Sequence, residues 1–488
     1  MDLLSWLMYL VSYMILFQAL LAITRKLGRR AKLPPGPPPI PIFGNLFQLG
    51  DNPHKSLAKL ASVHGDIMTL KLGQITTIVF SSATMAEEIF QKHDAVSCNR
   101  TVPDAIRALR HHEVGLPWMP VSTTWRNHRK ICKLHIFASH RLNANQYLRR
   151  TKVEQLLADV RHSSRVGEAV EIRQAAFKTT LSFMSNTIFS IDLSDSSQTS
   201  EEFREIVQGI LEELRKPNFG DYFPIANLDL QGNRRRMTIH LRKIMDLFDN
   251  VIDERVELRR MSEYVSTNDL LDTLLQLSQE NNQKLDKKSD QKFDSEFMKQ
   301  VLFTAATETT TSTIEWAMAE LLHNPQALLE ARREKNNWQR EPAIVKETLR
   351  LHPPAPFLIP RKAETDIEVH KFVVPKGAQV FINAWVIGRD PNFWEEPDLF
   401  HPERFIRSEM DVKGKDFGLI PFGGGRRICT GLPLAMRMLH SMLGTLIHSF
   451  DWELEDGVAP ENLNMDEKFH FVLQKAKPLR AIPHSIRS

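Results

Sequence analysis

The chain has 488 residues, 42% of them hydrophobic and 25% charged, with a formal net charge of +4. Such a chain is of globular composition, long enough to bury a sizeable core around an internal cofactor pocket. Its basicity is mild, and with no dense Lys/Arg stripe among aromatics it argues against nucleic acid as a partner. Three widely spaced cysteines, Cys98, Cys132 and Cys429, give neither a disulfide framework nor a Cys-x-x-Cys zinc pattern, which points to a reduced, cytosol-facing body.

In chain order, Leu3 to Ile23 is mostly apolar and uncharged; as a helix it would cover roughly 31 Å, one hydrocarbon core. Arg25, Lys26, Arg29, Arg30 and Lys32 follow it. Charge after the apolar run reads as a retained anchor rather than a cleaved signal peptide, with the rest of the chain in the cytosol. Leu33 to Pro41 is too rich in proline for helix and predicts a stiff, extended arm. The organisation expected is an anchor over 1–24, a basic and proline-rich hinge over 25–45, and one catalytic domain over 46–488. Within it, Ile67 to Phe80 predicts a hairpin turning at Gly73-Gln74, and long helices dominate from Trp125 to His323. Asn281 to Lys292 reads as an exposed loop, and Phe357 to Ala384 as strand-rich. The fold class is therefore mostly α with smaller β-sheets. Asn99-Arg100-Thr101 matches a glycosylation sequon, which a cytosolic domain would leave unused.

The most specific stretch is Pro421-Phe422-Gly423-Gly424-Gly425-Arg426-Arg427-Ile428-Cys429-Thr430-Gly431. Successive glycines let backbone lie against a large planar ligand, and Arg427 suits a carboxylate on it. Cys429 stands just before an apolar helical run from Leu432, where free N–H groups and the helix dipole favour a thiolate. A thiolate on iron favours O–O cleavage. Phe422, Gly425, Arg427, Cys429 and Gly431 fill the fixed positions of F-x-x-G-x-R-x-C-x-G. The stretch resembles the haem-binding loop of the cytochrome P-450 superfamily.

That resemblance implies the cytochrome P-450 fold, with haem b held by Cys429 as axial thiolate. Glu347 and Arg350, followed by Pro402-Glu403-Arg404-Phe405, are similar to the family's E-x-x-R and P-E-R-F elements, a buried ion network under the haem loop. Trp125 and Arg129 resemble W-x-x-x-R, and Arg361 stands where the family places another propionate partner. Ala305-Ala306-Thr307-Glu308-Thr309-Thr310 resembles the oxygen-activating turn of a long helix, capped by Asp294 or Ser295 and ending near Asn324. There Thr309 is the alcohol and Glu308 the acid that relays protons to dioxygen; Ala306 replaces the usual glycine. Leu116 to Met119, Phe303, Thr304, Ala355 to Leu358 and Phe471 are the substrate-contact candidates, mostly apolar, as a terpenoid would require. His111, His112, Trp118 and His470 are departures among them.

The resemblance spans nearly the whole chain. It is nearest to plant microsomal enzymes of the group containing geraniol 8-hydroxylase and the abietane-diterpene hydroxylases, through Gly73 to Val79, Arg141 to Gln146, Arg236 to His240 and Asp416 to Pro421. The expected activity is insertion of one oxygen atom from O2 into a C–H bond of a small apolar substrate. Electrons would come from NADPH through NADPH–cytochrome P-450 reductase, since the chain has no flavin or dinucleotide fingerprint of its own. The expected location is the endoplasmic reticulum membrane, contacting lipid through the N-terminal helix. Between Pro325 and Lys346 the chain is about fifteen residues shorter than the family, a loop-length change of small thermodynamic cost. Two other readings fit the same residues. One is a haem protein with impaired or no turnover, which Ala306 and the short segment favour. The other is a haem-thiolate isomerase or dehydratase, against which the acid–alcohol pair speaks.

Overall fold

The computed structural model describes residues 33–486 except 195–196, 224–228, 262–263, 268, 283–290 and 334–339, together with 9 and 12–13; of 197–199, 277–282 and 291–306 it describes the backbone only. The proposed anchor, Leu3 to Ile23, lies almost wholly outside the described residues. Among those residues no helix is long and apolar enough to cross a membrane.

Apolar alternation and a glycine turn set the first sheet. Gly73 takes φ +57°, and the chain folds back there as β1 (Ile67–Leu72) and β2 (Ile75–Phe80). They pair antiparallel from Ile67 opposite Phe80 to Leu72 opposite Ile75. A side chain at Gly73 would also press on the Tyr222 carbonyl, so glycine is required twice over. The sheet is completed by β3 (Asn99–Arg100), β4 (Arg361–Lys362) and β5 (Gln379–Ile382), in the order β1-β2-β5-β4-β3. Only β2 and β5 run parallel. This sheet brings Arg100 and Arg361 opposite each other although 261 positions separate them in the chain.

Helices make the rest of the core. They include α1 (Pro53–His64), α2 (Thr123–Ile131), α3 (Gln146–Val166), α4 (Ile172–Phe189), α5 (Ser197–Arg215) and α6 (Asn233–Arg260). The longest, α7, covers Gln291–His323, 33 residues, or about 50 Å. It begins before the expected caps Asp294 and Ser295, so those residues lie inside its first turn rather than at its edge. Residues 281–282 and 291–292 are helical, where an exposed loop was expected from Asn281 to Lys292; 283–290 lie outside the described residues.

The helix α4 packs along α7. It buries polar side chains because they bond back into their own helix: Thr179 Oγ1 donates to Ala175 O at 2.9 Å and Thr180 Oγ1 to Ala176 O at 2.8 Å. Further on come α8 (Arg340–Leu351) and α9 (Leu432–Ser449), the latter opened by Pro433 in its first turn. Leu434, Met438, Leu439, Met442, Leu443 and Ile447 form the buried stripe of α9. A hairpin of β6 (Glu467–Lys468) and β7 (Gln474–Lys475) closes the C-terminal part. The hairpin at Gly73, the helical middle and the strand-rich 357–384 all match the sequence expectation.

Candidate active site

The loop before α9 is tied by its own backbone. The Cys429 N–H donates to Phe422 O at 3.0 Å and the Ile428 N–H to Gly425 O at 3.2 Å. Gly423 and Gly425 take φ of +71° and +64°. A Cβ on Gly425 would collide with the Asp94 carboxylate, and one on Gly424 would press on the Phe90 ring. At these two positions the close approach is therefore to protein, not only to a planar ligand as expected. Asp94 accepts from the Arg426 N–H at 3.0 Å and from Arg361 Nη1 at 2.8 Å, clamping the loop to the first sheet. Nothing in the sequence marked Asp94.

Cys429 has an exposed side chain, yet burial pushes its thiol up. The Gly431 and Leu432 N–H groups and the Arg129 guanidinium act the other way, lowering the thiol. The helix start thus helps the thiolate but does not outweigh burial, contrary to the simplest reading of its position. A bound cation would.

Four arginines crowd one side of this loop. Ser122 caps α2 by accepting from the Trp125 N–H at 3.1 Å, and one turn later Arg129 Nη2 donates to Ile428 O at 2.9 Å. Trp125 is the platform between two guanidiniums, with Arg129 5.2 Å and Arg427 4.6 Å from its ring centre. Its indole N–H donates to Leu116 O at 3.3 Å. Arg427 donates to the carbonyls of Cys98, Leu116 and Met119. Arg361 bonds Asp94 and, at 3.1 Å, Gly424 O. The fourth, Arg100, reaches Pro117 O at 3.3 Å and Ile359 O at 2.5 Å.

Sequence reasoning passed over Arg100 as the middle of a sequon; only its pairing opposite Arg361 reveals it. Burial lowers all four, and Arg427 falls to about 10. Arg100 is pushed down further by Arg361 and Arg427, and Arg427 by Arg361 and Arg129. Asp94 acts the other way on Arg100, Arg361 and Arg427. A cationic excess in so little water calls for a ligand with anionic groups.

Elsewhere, Glu347 and Arg350 are fully buried on α8 and pair through two bonds of 2.7 and 2.8 Å. Arg404 Nε adds 3.0 Å to Glu347 Oε1, and the His401 N–H adds 2.8 Å. The remaining Arg350 donors reach the carbonyls of Gly388, Pro397 and Leu399. The shortened connection upstream falls partly on 334–339, outside the described residues, yet the expected network is complete.

On α7, Glu308 is 1% exposed. It is ion-paired with Arg173 of α4 and accepts from Gln474 Nε2 at 3.4 Å. Arg173 also reaches Glu315 at 3.3 Å. Glu308 is therefore not on a solvated face. Thr309 is its neighbour, and its carbonyl accepts from Thr313 Oγ1 at 2.9 Å. The side chains of Phe303, Thr304 and Ala306 lie outside those described. Of the other substrate-contact candidates, Leu116, Trp118 and Met119 are buried, and the Trp118 and Phe471 rings meet at 6.2 Å. Phe357 instead stacks on Phe381 at 5.3 Å, within the small core under β1 and β2. Of the flagged histidines, His111 is buried beneath Gly115.

The cytochrome P450 family pattern matches residues 34–481. This chain belongs to that family: it is a cytochrome P450 monooxygenase, a haem b enzyme with a cysteine thiolate as axial ligand. It is 47% identical to geraniol 8-hydroxylase of Catharanthus roseus, covering 100% of both chains. To drimenol monooxygenase of Persicaria hydropiper it is 47% identical, over 94% of this chain and 93% of the relative. To 7-ethoxycoumarin O-deethylase of Helianthus tuberosus it is 44% identical, over 93% and 95%. The first alignment runs over 503 positions against 488 residues here, so it opens gaps in this chain. The residues present fit haem b: a cysteine just ahead of α9, a loop of glycines, and four guanidiniums beside the single Asp94 carboxylate that Arg361 bonds, a set that two propionates would balance.

Proposed function

We propose that Cys429 is the axial ligand, that Arg100, Trp125, Arg129, Arg361 and Arg427 hold the propionate side, and that Phe422, Gly425 and Gly431 shape the loop beneath the ring. The observation that carries this is Cys429 at the start of α9 with four arginines gathered at its loop, Arg361 and Arg427 buried and Arg100 and Arg129 partly so. The proposed reaction hydroxylates a small terpenoid such as geraniol, which the names of the relatives support. One oxygen atom of O2 enters a C–H bond and the other leaves as water, with two electrons from NADPH through a reductase and two protons.

The haem, when bound, supplies the activation of O2. The chain's part is to orient and to move protons. The Thr309 hydroxyl would donate to the dioxygen, and Glu308 would return protons to Thr309. Arg173 and Gln474 hold the Glu308 carboxylate in place for that task. Apolar Leu116, Trp118, Met119 and Phe471 would exclude water and leave a terpenoid few polar contacts to satisfy.

We further propose a single-pass anchor over 1–24 and a hinge over 25–45, holding the domain 46–488 at the cytosolic face of the endoplasmic reticulum. Exposed Ile40, Phe47, Phe219 and Leu230 support this. Phe47 and Phe219 are joined through Phe43 and Phe223, with ring centres 5.2 Å apart for Phe43–Phe47, 6.4 Å for Phe43–Phe223 and 5.9 Å for Phe219–Phe223. Exposed aromatic surface of this kind suits lipid.

The test is the carbon monoxide difference spectrum of the reduced protein in microsomes, followed by NADPH-dependent turnover of geraniol. A Soret band at the thiolate-ligated position, lost in Cys429→Ser, is expected. A thiolate band that persists in Cys429→Ser would overturn the ligand assignment. Turnover of a substrate without NADPH would favour the isomerase reading.

A further inference from the structure

Glu467 sits at the base of the β6–β7 hairpin, 7% exposed, and gathers donors from three other parts of the chain. His54 Nε2 and Lys55 Nζ of α1 each lie 3.0 Å from Oε2. Trp385 Nε1 donates to Oε1 at 3.1 Å, His352 Nδ1 lies 3.3 Å from it, and Arg389 Nη2 is at 4.0 Å. The other nitrogen of His352 lies 2.7 Å from Glu320 Oε1 on α7. His352 thus stands between two carboxylates, one on the hairpin and one on α7. It is stacked flat on Trp316 at 3.8 Å, and Lys475 lies over the far part of that system at 4.9 Å.

These contacts reach the substrate side by two routes. Along the hairpin, Glu467 fixes one arm. The other arm is held to α7, where Ser312 Oγ donates to Leu473 O at 2.5 Å and Gln474 donates to Glu308. Between the arms lie Phe469, His470 and Phe471, and Phe471 meets Trp118. Through the rings, His54 stacks on Phe469 at 5.7 Å, and Phe469 lies 5.7 Å from Phe357. Two segments expected to touch substrate, 355–358 and 471, are thus linked through these contacts to one carboxylate.

We propose that Glu467 is a positioning residue for substrate specificity: through His54 and His352 it fixes the hairpin that presents Phe471, and so sets the affinity for bulky ligands while leaving the haem site alone. This rests on the reading of Phe471 as a substrate contact. Many donors on one buried carboxylate make a rigid anchor, and replacing one of its oxygens by an amide NH2 sets a donor against donors on one side, either His54 with Lys55 or His352 with Trp385.

The experiment compares wild type, Glu467→Gln and His352→Gln in the full-length protein, each first checked for a wild-type carbon monoxide difference spectrum. Two haem-ligating azoles then serve as probes: imidazole itself, too small to reach the hairpin, and clotrimazole, bulky enough to meet it. Their dissociation constants are read by difference spectroscopy, with no turnover involved. Clotrimazole should weaken at least about fivefold in both variants, with imidazole unchanged. Equal clotrimazole affinity in wild type and Glu467→Gln, with the thiolate spectrum intact, overturns the proposal. Should Glu467→Gln not load haem, His352→Gln decides alone by the same comparison. If wild type fails on geraniol yet the azole difference holds, the substrate assignment fails and the positioning role stands.

Discussion

Arg173, in the first turn of α4, forms a buried ion pair with Glu308 of α7 and shares itself with Glu315, two helical turns further along the same face. Glu315 is anchored from its other side by the Leu479 N–H at 3.1 Å, and burial raises its carboxyl despite Arg173. One guanidinium therefore holds two buried carboxylates. Arg173→Met would leave both without their cation, and breaking a buried pair costs about 3–5 kcal/mol. Its thermal midpoint should fall well below that of Arg173→Lys, which keeps the charge but lacks the fork that spans both acids.

Glu308→Gln isolates the proposed proton role from that structural one. The amide keeps a bond to Arg173 but cannot carry the proton. Product formation should fall about 100-fold, with NADPH oxidation diverted to hydrogen peroxide and the carbon monoxide spectrum preserved. Measuring product and peroxide per NADPH checks this; unchanged coupling would remove Glu308 from proton delivery.

If the Glu347–Arg350–Arg404 network fixes the geometry that lets the protein load haem, Glu347 is the residue to change. Glu347→Gln weakens bonds from two guanidiniums and one backbone N–H at once. The expected loss is about 3–5 kcal/mol, read as a lower unfolding midpoint and a reduced fraction of protein that binds haem. Arg350→Lys should fare little better, because Arg350 spends its donors on five separate acceptor atoms.

Two glycines of the cysteine loop should respond differently to alanine. Gly425 has φ +64° and the Asp94 carboxylate in the way, so Gly425→Ala should cost at least about 1–2 kcal/mol from the left-handed backbone alone. Gly431 has φ −78°, and an added methyl would lie 3.7 Å from Cys429 Sγ, an ordinary contact. Gly431→Ala should leave stability within about 1 kcal/mol of wild type. Chemical denaturation of the two variants side by side tests the contrast.

Acid should unfold the protein partly through His128 and His470. Burial pushes both down to about 4 from an ordinary 6.5. Between those values the unfolded chain binds protons that the folded protein refuses. Stability from these groups is thus full above pH 6.5 and is lost as pH falls toward 4, up to about 3 kcal/mol for each. Thermal midpoints measured from pH 7.5 down to about pH 4.5 should fall, and His470→Gln should flatten that slope. An unaltered slope in His470→Gln would falsify its part.

The sequence by itself determined whatever is local in the chain. Phe422 to Gly431, Glu347 with Arg350, and Trp125 with Arg129 are short spacings set by a loop or by one helical turn, and each is found as spaced. The hairpin at Gly73 was legible for the same reason: alternation and a turn residue act over a few positions. Only the tertiary structure decided what crosses the chain. Arg100 joins Arg361 through a strand pairing, Asp94 clamps a loop more than 300 residues away, and Arg173 meets Glu308 because α4 packs along α7. Glu467 draws its partners from α1, from the end of α8 and from beside Trp385. None of these has a local signature, because a buried charge is defined by what surrounds it, and burial is a property of the packed fold rather than of neighbours in sequence.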